Sequence, residues 1–305
     1  MLAAAALLAS CSQDDALQST VHNNEGLKPM TITASLPTDG MQTRAAGDEA
    51  ATRCYVQILN GNGTELEDGN SKPIAMDLKG GTFTTTVFLK GDNTYDFLFW
   101  ADTETVTGQN VPTDLTAVAY TNGQTIAWAG KIEDKVWDAE GIEIDLEHVV
   151  SRVTVITTSN FTVDGKHPLT ITVPTVYGTY NVDADAVVED SKVSGGYMLD
   201  VTDGPYTADT EVAHFYVLGD GNQDLKLWYK GPKENDEITI TGVPVSANTH
   251  ITLKGDIYNA GLVDGYITAT VDVNWDPEVT EDFDGGSDHS IPGWADGGHD
   301  DVVAH

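Results

Sequence analysis

The chain has 305 residues, 15 Lys plus Arg against 48 Asp plus Glu, and a formal charge of −33. That excess repels phosphate and anionic lipid, so it argues against nucleic-acid binding and against docking on a bilayer through a polybasic patch. Two cysteines cannot make a disulfide framework or a four-thiolate zinc site, and 40% hydrophobic residues suffice to bury a core.

Thr occurs 37 times against 20 for Leu. Thr suits a half-exposed pleated surface, whereas helical domains lean on Leu and Ala, so the composition points to β-structure. Leu2 to Ala9 are apolar and the run stops at Ser10-Cys11. Eight residues rise about 12 Å as a helix, far short of the ~30 Å hydrocarbon core, so the segment reads as the apolar part of a secretory signal. No Lys or Arg lies between Met1 and Cys11, and the expectation is that the true start lies upstream of Met1. Leu8-Ala9-Ser10-Cys11 resembles the bacterial lipobox, in which the Cys is lipidated and becomes the new N-terminus. Ser12-Gln13-Asp14-Asp15 resembles the surface-export signal of Bacteroidetes lipoproteins. On this reading residues 1–11 are signal and lipobox, 12–29 are a tether, and the protein sits on the outer membrane facing out. With Cys11 lipidated, Cys54 has no intramolecular partner; its place at the start of an apolar stretch marks a small core residue.

Met30 to Pro37 alternates with period two, which puts Met30, Ile32, Ala34 and Leu36 on one face of a strand. Thr38 to Thr52 has no periodicity and reads as an exposed, cleavable loop. Further strands are expected at Cys54–Leu59, Thr82–Leu89, Tyr95–Trp100, Val111–Tyr120, Thr125–Ile132 and Ile142–Leu146. The Gly91-Asp-Asn93 turn between Thr82–Leu89 and Tyr95–Trp100 predicts a hairpin. A second series comprises Val153–Thr157, Leu169–Val173, Tyr197–Val201, Val212–Val217, Leu225–Tyr229, Ile238–Ile240, His250–Ile257 and Tyr266–Trp275. No apolar pattern of helical length interrupts them, so the expectation is two tandem β-sandwiches, residues 30–148 and 149–275. Residues 276–305 hold nine Asp or Glu and no Lys or Arg, and read as a solvated acidic tail.

Catalytic and metal signatures do not emerge. No nucleophile elbow, HExxH or phosphate loop is present, so neither an enzymatic role nor a cofactor is expected. His148, His167, His214 and His250 are scattered beside strands and read as structural polar side chains. His289, His299 and His305 lie in the tail, where any metal site would be loose. Asp183-Ala-Asp185 and Asp220 to Asp224 have calcium-loop oxygen spacing but do not complete the twelve-residue pattern. Trp100, Trp128, Trp137, Trp228 and Tyr229 could form a sugar-stacking platform, although alternating strand positions favour a core role.

Taken in order, these segments resemble the fimbrillins of the Bacteroidales, the subunits of the type V pilus. The resemblance rests on the lipobox at Cys11, the alternating strand Met30–Pro37 and Thr43-Arg44-Ala45 in a loop. It rests further on Leu146-Glu-His148-Val-Val-Ser151-Arg-Val-Thr-Val155, Asn248 to Gly255 and Val271 to Trp275. It implies two transthyretin-like β-sandwiches and assembly by strand exchange. The subunit would travel as a lipoprotein until a trypsin-like protease cuts after an Arg, with Arg44 the first candidate and Arg53 the second. The released strand, carrying Met30, Ile32, Ala34 and Leu36, would leave a groove for a strand of another fimbrial subunit. The family's donor strand lies near the C-terminal end, but Gly285-Gly286, Pro292-Gly293 and Gly297-Gly298 interrupt any ladder there. Either Tyr266–Trp275 is the donor, or the chain is a tip, accessory or anchored subunit. A surface glycan-binding lipoprotein is the main rival reading, and a secreted β-rich enzyme a weaker one.

Overall fold

A computed structural model describes residues 26–36, 51–61, 63, 71–103, 111–231, 237–259 and 267–272, together with the backbone of 301–303. The chain is all-β; among the described residues its helical structure is a short 3₁₀ turn at Glu189–Ser191. In chain order the strands are β1 (Leu27–Ser35), β2 (Arg53–Asn60), β3 (Ile74–Ala75), β4 (Asp77–Lys79), β5 (Thr82–Lys90), β6 (Thr94–Asp102), β7 (Val118–Ala119), β8 (Ala127–Val136), β9 (Ile142–Asp145) and β10 (Glu147–His148). There follow β11 (Ser151–Thr157), β12 (Leu169–Val173), β13 (Thr179–Asn181), β14 (Ala186–Val187), β15 (Tyr197–Val201), β16 (Thr210–Val217), β17 (Asn222–Tyr229), β18 (Ile238–Pro244), β19 (Thr249–Gly255), β20 (Ile267–Asp272) and β21 (Asp301–Val303).

The first half supplies sheets ordered β4-β5-β1-β9 and β10-β8-β6-β2-β3; the second supplies β16-β11-β19-β20-β21 and β15-β12-β17-β18. Period-two alternation sets which side chains meet. Leu169, Ile171 and Val173 of β12 and Ile251 and Leu253 of β19 are buried, while the residues between them are partly exposed. The result is two apolar cores. One is built around Phe83, Phe97, Phe99 and Trp100, the other around Ile171, Phe215, Leu227, Tyr229 and Ile251.

Tyr177, Tyr180, Val182, Tyr216 and Leu218 come from the second half of the chain but join the first core. They arrive through a small sheet, β14-β13-β7, that pairs strands from both halves. Asn122 ties the junction: its side-chain amide donates to Tyr177 O at 2.8 Å, and its carbonyl accepts from Leu218 N at 2.7 Å. Gly123 and Tyr216 exchange both backbone bonds, at 2.7 and 2.8 Å. This cover explains why Tyr95–Asp102 of β6 is buried on both faces.

Several expectations change. β5 and β6 do not form a hairpin: β5 pairs with β1 and β4, whereas β6 pairs with β2 and β8, so the Gly91–Asn93 turn carries the chain from one sheet to the other. A turn sequence fixes a reversal but not which sheet the next strand joins, and β6 is apolar enough to need cover on both faces. The 111–120 segment is extended only at β7. β1 begins at Leu27, so Lys28 and Pro29, expected in the tether, are strand residues. Most of the expected acidic tail lies outside the described residues, but the backbone of Asp301–Val303 pairs with β20 as an edge strand.

Candidate functional site: the slot that holds the first strand

β1 is an interior strand. It pairs antiparallel with β5 from Leu27↔Lys90 to Ala34↔Phe83, and parallel with β9 from Ile32↔Ile142 to Ser35↔Asp145. The alternation of Met30 to Leu36 aims one face at the first core. Met30, Ile32, Ala34 and Leu36 are 1%, 0%, 0% and 7% exposed. Burying an apolar side chain of this size contributes about 1.5–3 kcal/mol, so Met30, Ile32 and Leu36 are a major part of what holds the strand in place.

The two ends of β1 are held differently. At the carboxyl end, Ser35 O accepts from Leu146 N at 2.8 Å, and Ser35 Oγ donates to Ile144 O at 3.2 Å and bonds the Asp145 carboxylate. The parallel ladder stops at Ile32, and a turn after β8 takes over. There Trp137 Nε1 donates to Pro29 O at 3.0 Å, and Lys28 Nζ sits 4.5 Å from the centre of the Trp137 ring. The Asp138 amide approaches Met30 Sδ at 3.5 Å. Gly141 closes the turn at φ 87°, and a Cβ there would lie 2.4 Å from Thr31 O. Glycine is required twice over, by conformation and by space.

Arg53 stands in β2. Its Nε and Nη2 donate to the two carboxylate oxygens of Asp102 at 2.5 and 3.0 Å, and its side chain is only 15% exposed. The peptide bond after Arg53 lies inside the β2–β6 ladder, so a protease reaches it only after that ladder opens. Arg44 and Cys11 lie outside the described residues. Cys54 is buried with Sγ 3.6 Å from Met76 Sδ, and burial pushes its thiol up to about 12.

The other sequence candidates do not converge. Trp100 and Trp128 belong to the first core and Tyr229 to the second. Trp228 lies on a different face of β17 from Tyr229, with Lys230 Nζ 4.1 Å from its ring centre. His148 stacks on Trp128 at 5.1 Å, and burial lowers its pKa to about 3. His167 bonds Asp164 at 3.1 Å, His214 bonds Glu211 at 2.5 Å, and His250 bonds Thr154 at 3.0 Å. Among the described residues no group of three or more His, Cys, Asp or Glu could hold a metal ion. The segment weighed as a donor strand, Tyr266–Trp275, contains β20. That strand lies between β19 and β21, with Ile267 and Ala269 fully inside the second core. It cannot leave for another molecule without opening that core. The walls of the β1 slot, β9 with Trp137 and Gly141, carry no motif by themselves; their signal in the sequence is limited to a short Ile-x-Ile alternation after a Gly turn.

These features define a class: an all-β chain of several sheets around two apolar cores, whose first described strand completes one core from inside a sheet. Its fold is shared with a candidate cell adhesion protein from Bacteroides uniformis ATCC 8492, 13% identical, with a TM-score of 0.50 over 81% of this chain and 98% of that one. A candidate cell adhesion protein from Bacteroides ovatus ATCC 8483 is 14% identical, with a TM-score of 0.48 over 84% of this chain and 99% of that one. A fimbrial assembly protein from Parabacteroides distasonis ATCC 8503 is 13% identical, with a TM-score of 0.43 over 84% and 99%. No family model and no curated protein matches the sequence.

Proposed function

We propose that the protein is a structural subunit of a cell-surface fimbria, without a catalytic role, exported as a lipoprotein through Cys11 and assembled by exchange of β1. The observation that carries this reading is topological. No described strand precedes β1, and the described strands after it all follow residue 50, so one cut between residues 37 and 50 severs β1 covalently from the described strands that follow. Arg44 lies in that interval, whereas Arg53 is locked in β2 by Asp102. Loss of β1 would leave the N–H and C=O groups of β5 and β9 unpaired beside the apolar side chains that now cover Met30, Ile32 and Ala34. Such a groove takes a strand by β-augmentation, and a head-to-tail contact that does not close makes a filament. The partners are other fimbrial subunits, a trypsin-like processing protease and, before assembly, the outer membrane.

Limited trypsin treatment of the unlipidated protein tests this. The expected result is a cut after Arg44 followed by a ladder of oligomers in a denaturant-free gel. A protein that is cut there and stays monomeric overturns the reading, and binding to glycans in affinity electrophoresis would then favour a surface glycan-binding module.

A further inference from the structure

The slot around β1 is graded in size along its length, and the grading states what can replace the strand. Towards the core, Met30 stands opposite Val87 of β5. Ile32 stands between Thr85 of β5 and Ile142 of β9, a small and a large neighbour. At the next level both neighbours are large: Ala34 lies between Phe83 and Ile144, and Phe83 is a fully buried aromatic side chain. With large residues on both flanking strands, the middle of that row has room for a methyl group. At the far end, the Trp137 indole takes a backbone carbonyl, which any strand offers, but its ring face is covered by the Lys28 ammonium. A cation over an indole is an attraction that a neutral or acidic residue cannot reproduce.

We infer that the slot selects its incoming strand by two side chains, a small residue at the level of Ala34 and a Lys or Arg at the level of Lys28. The partner is therefore a polypeptide segment that reads cation-x-apolar-x-apolar-x-Ala/Gly-x-apolar, running antiparallel to β5 and parallel to β9. This rests on the strand-exchange reading above. The chain contains an instructive near-copy. Lys72-Pro-Ile-Ala-Met-Asp-Leu78 begins with the same Lys-Pro pair as Lys28-Pro29 and has apolar residues at the next two alternate positions. It then carries Leu78 where β1 carries Ala34. Ile74 and Leu78 are 36% and 56% exposed on the edge strands β3 and β4, while Met76 between them is buried in the first core, so this edge of every copy presents Ile74 and Leu78. A slot that rejects bulk at the Ala34 level keeps that segment of a neighbouring copy out.

The test uses the full chain nicked between residues 37 and 50 and fluorescent peptides read by anisotropy. The peptide of residues 27–36 should bind. The same peptide with Ala34→Leu should bind at least about tenfold more weakly, in line with the usual cost of overpacking a core. The peptide with Lys28→Glu should bind several-fold more weakly, and the peptide of residues 71–79 should bind only when it carries Leu78→Ala. If Ala34→Leu binds within about twofold of the original, the selection is overturned while strand exchange stands. If no peptide enters, including the original, strand exchange falls and takes the selection with it. An independent measurement uses the intact chain: Ala34→Leu should lower the thermal midpoint of the original protein by more than it lowers that of a Phe83→Ala chain, whose truncated side chain leaves room for the leucine. An equal loss in the two backgrounds refutes the size reading whatever the peptides do.

Discussion

Replacing Ile32 with Ala is the most direct test of what β1 contributes. Ile32 is fully buried between Thr85 and Ile142, in the only part of β1 held by ladders on both sides. Truncating a buried Ile to Ala costs about 2–5 kcal/mol, and about 3 kcal/mol suits a site flanked by main-chain ladders that cannot collapse. Thr31→Ala, on the exposed face of the same strand, should stay within about 0.5 kcal/mol of the original protein. Ile32→Asp should cost more than Ile32→Ala, because it places a carboxylate at a fully buried position between Thr85 and Ile142. Urea unfolding of the intact chain reads these differences. After the loop is nicked, the same free energy acts on release of the strand. If all of it appears in the dissociation rate, about 3 kcal/mol corresponds to roughly a hundredfold faster loss of a labelled β1 fragment. An Ile32→Ala chain as stable as the original, or a nicked variant that keeps its first strand equally long, would refute the idea that this face holds β1.

Gly141→Ala should destabilise the intact chain by at least about 2 kcal/mol, since it forces a side chain into a left-handed position against Thr31 O; a change under about 0.5 kcal/mol in urea unfolding would contradict this. Cys54, with its thiol pushed up to about 12, should resist a disulfide reagent at pH 8 until the protein unfolds, and labelling of the native chain at the unfolded rate would count against the packing described. His148 is held neutral in the fold, with a pKa of about 3 against 6.5 when unfolded, so its stabilising effect is complete above pH 6.5 and lost as pH falls towards 3. The loss approaches about 1.4 kcal/mol per pH unit inside that window, and His148→Phe should flatten the acid side of the stability profile; parallel profiles would refute the assignment. Along β1, the amide of Thr31, which points away from β5 just before the parallel ladder begins, should exchange with deuterium faster than those of Thr33 and Ser35, which face β9; uniform protection would remove the distinction between its two ends.

Much of the scaffold was legible because strand alternation leaves a direct mark. Met30, Ile32, Ala34 and Leu36 fall on one buried face as their spacing requires, and Leu169–Val173 and Tyr197–Val201 are strands at the boundaries that the pattern sets. The failures share a cause: alternation says that a segment is a strand and not what it pairs with. The β5–β6 turn looked like a hairpin because nothing in Gly91-Asp-Asn93 distinguishes a reversal within one sheet from a crossing between two. β3, β4, β13 and β14 are two or three residues long, too short for a period to register. The slot was only half legible. Its occupant announces itself in the sequence, but its walls come from residues 83–87, which pair with it antiparallel, and from 137–144, reached through a parallel pairing across more than a hundred residues.

The same local arrangement is used twice in the molecule, and the difference between the two uses bears on function. β11 resembles β1 in lying between an antiparallel and a parallel neighbour, β16 and β19. Its parallel ladder runs its whole length, from Ser151↔Thr249 to Thr157↔Gly255, and Ser151 Oγ adds bonds to Ser246 O at 2.6 Å and Thr249 Oγ1 at 2.7 Å. It is also continuous with folded chain on both sides, since β10 precedes it immediately and Val149 and Val150 pack in the first core. A cut on one side of β11 leaves it tethered by the other. β1 has its parallel ladder over only its last four residues, a side-chain latch from Trp137 over the rest, and no described strand before it. Core burial makes both strands stable in place. Of the two, β1 alone has no described strand before it, so a single cut after it would leave the described strands that follow connected, and this is what the proposed exchange requires.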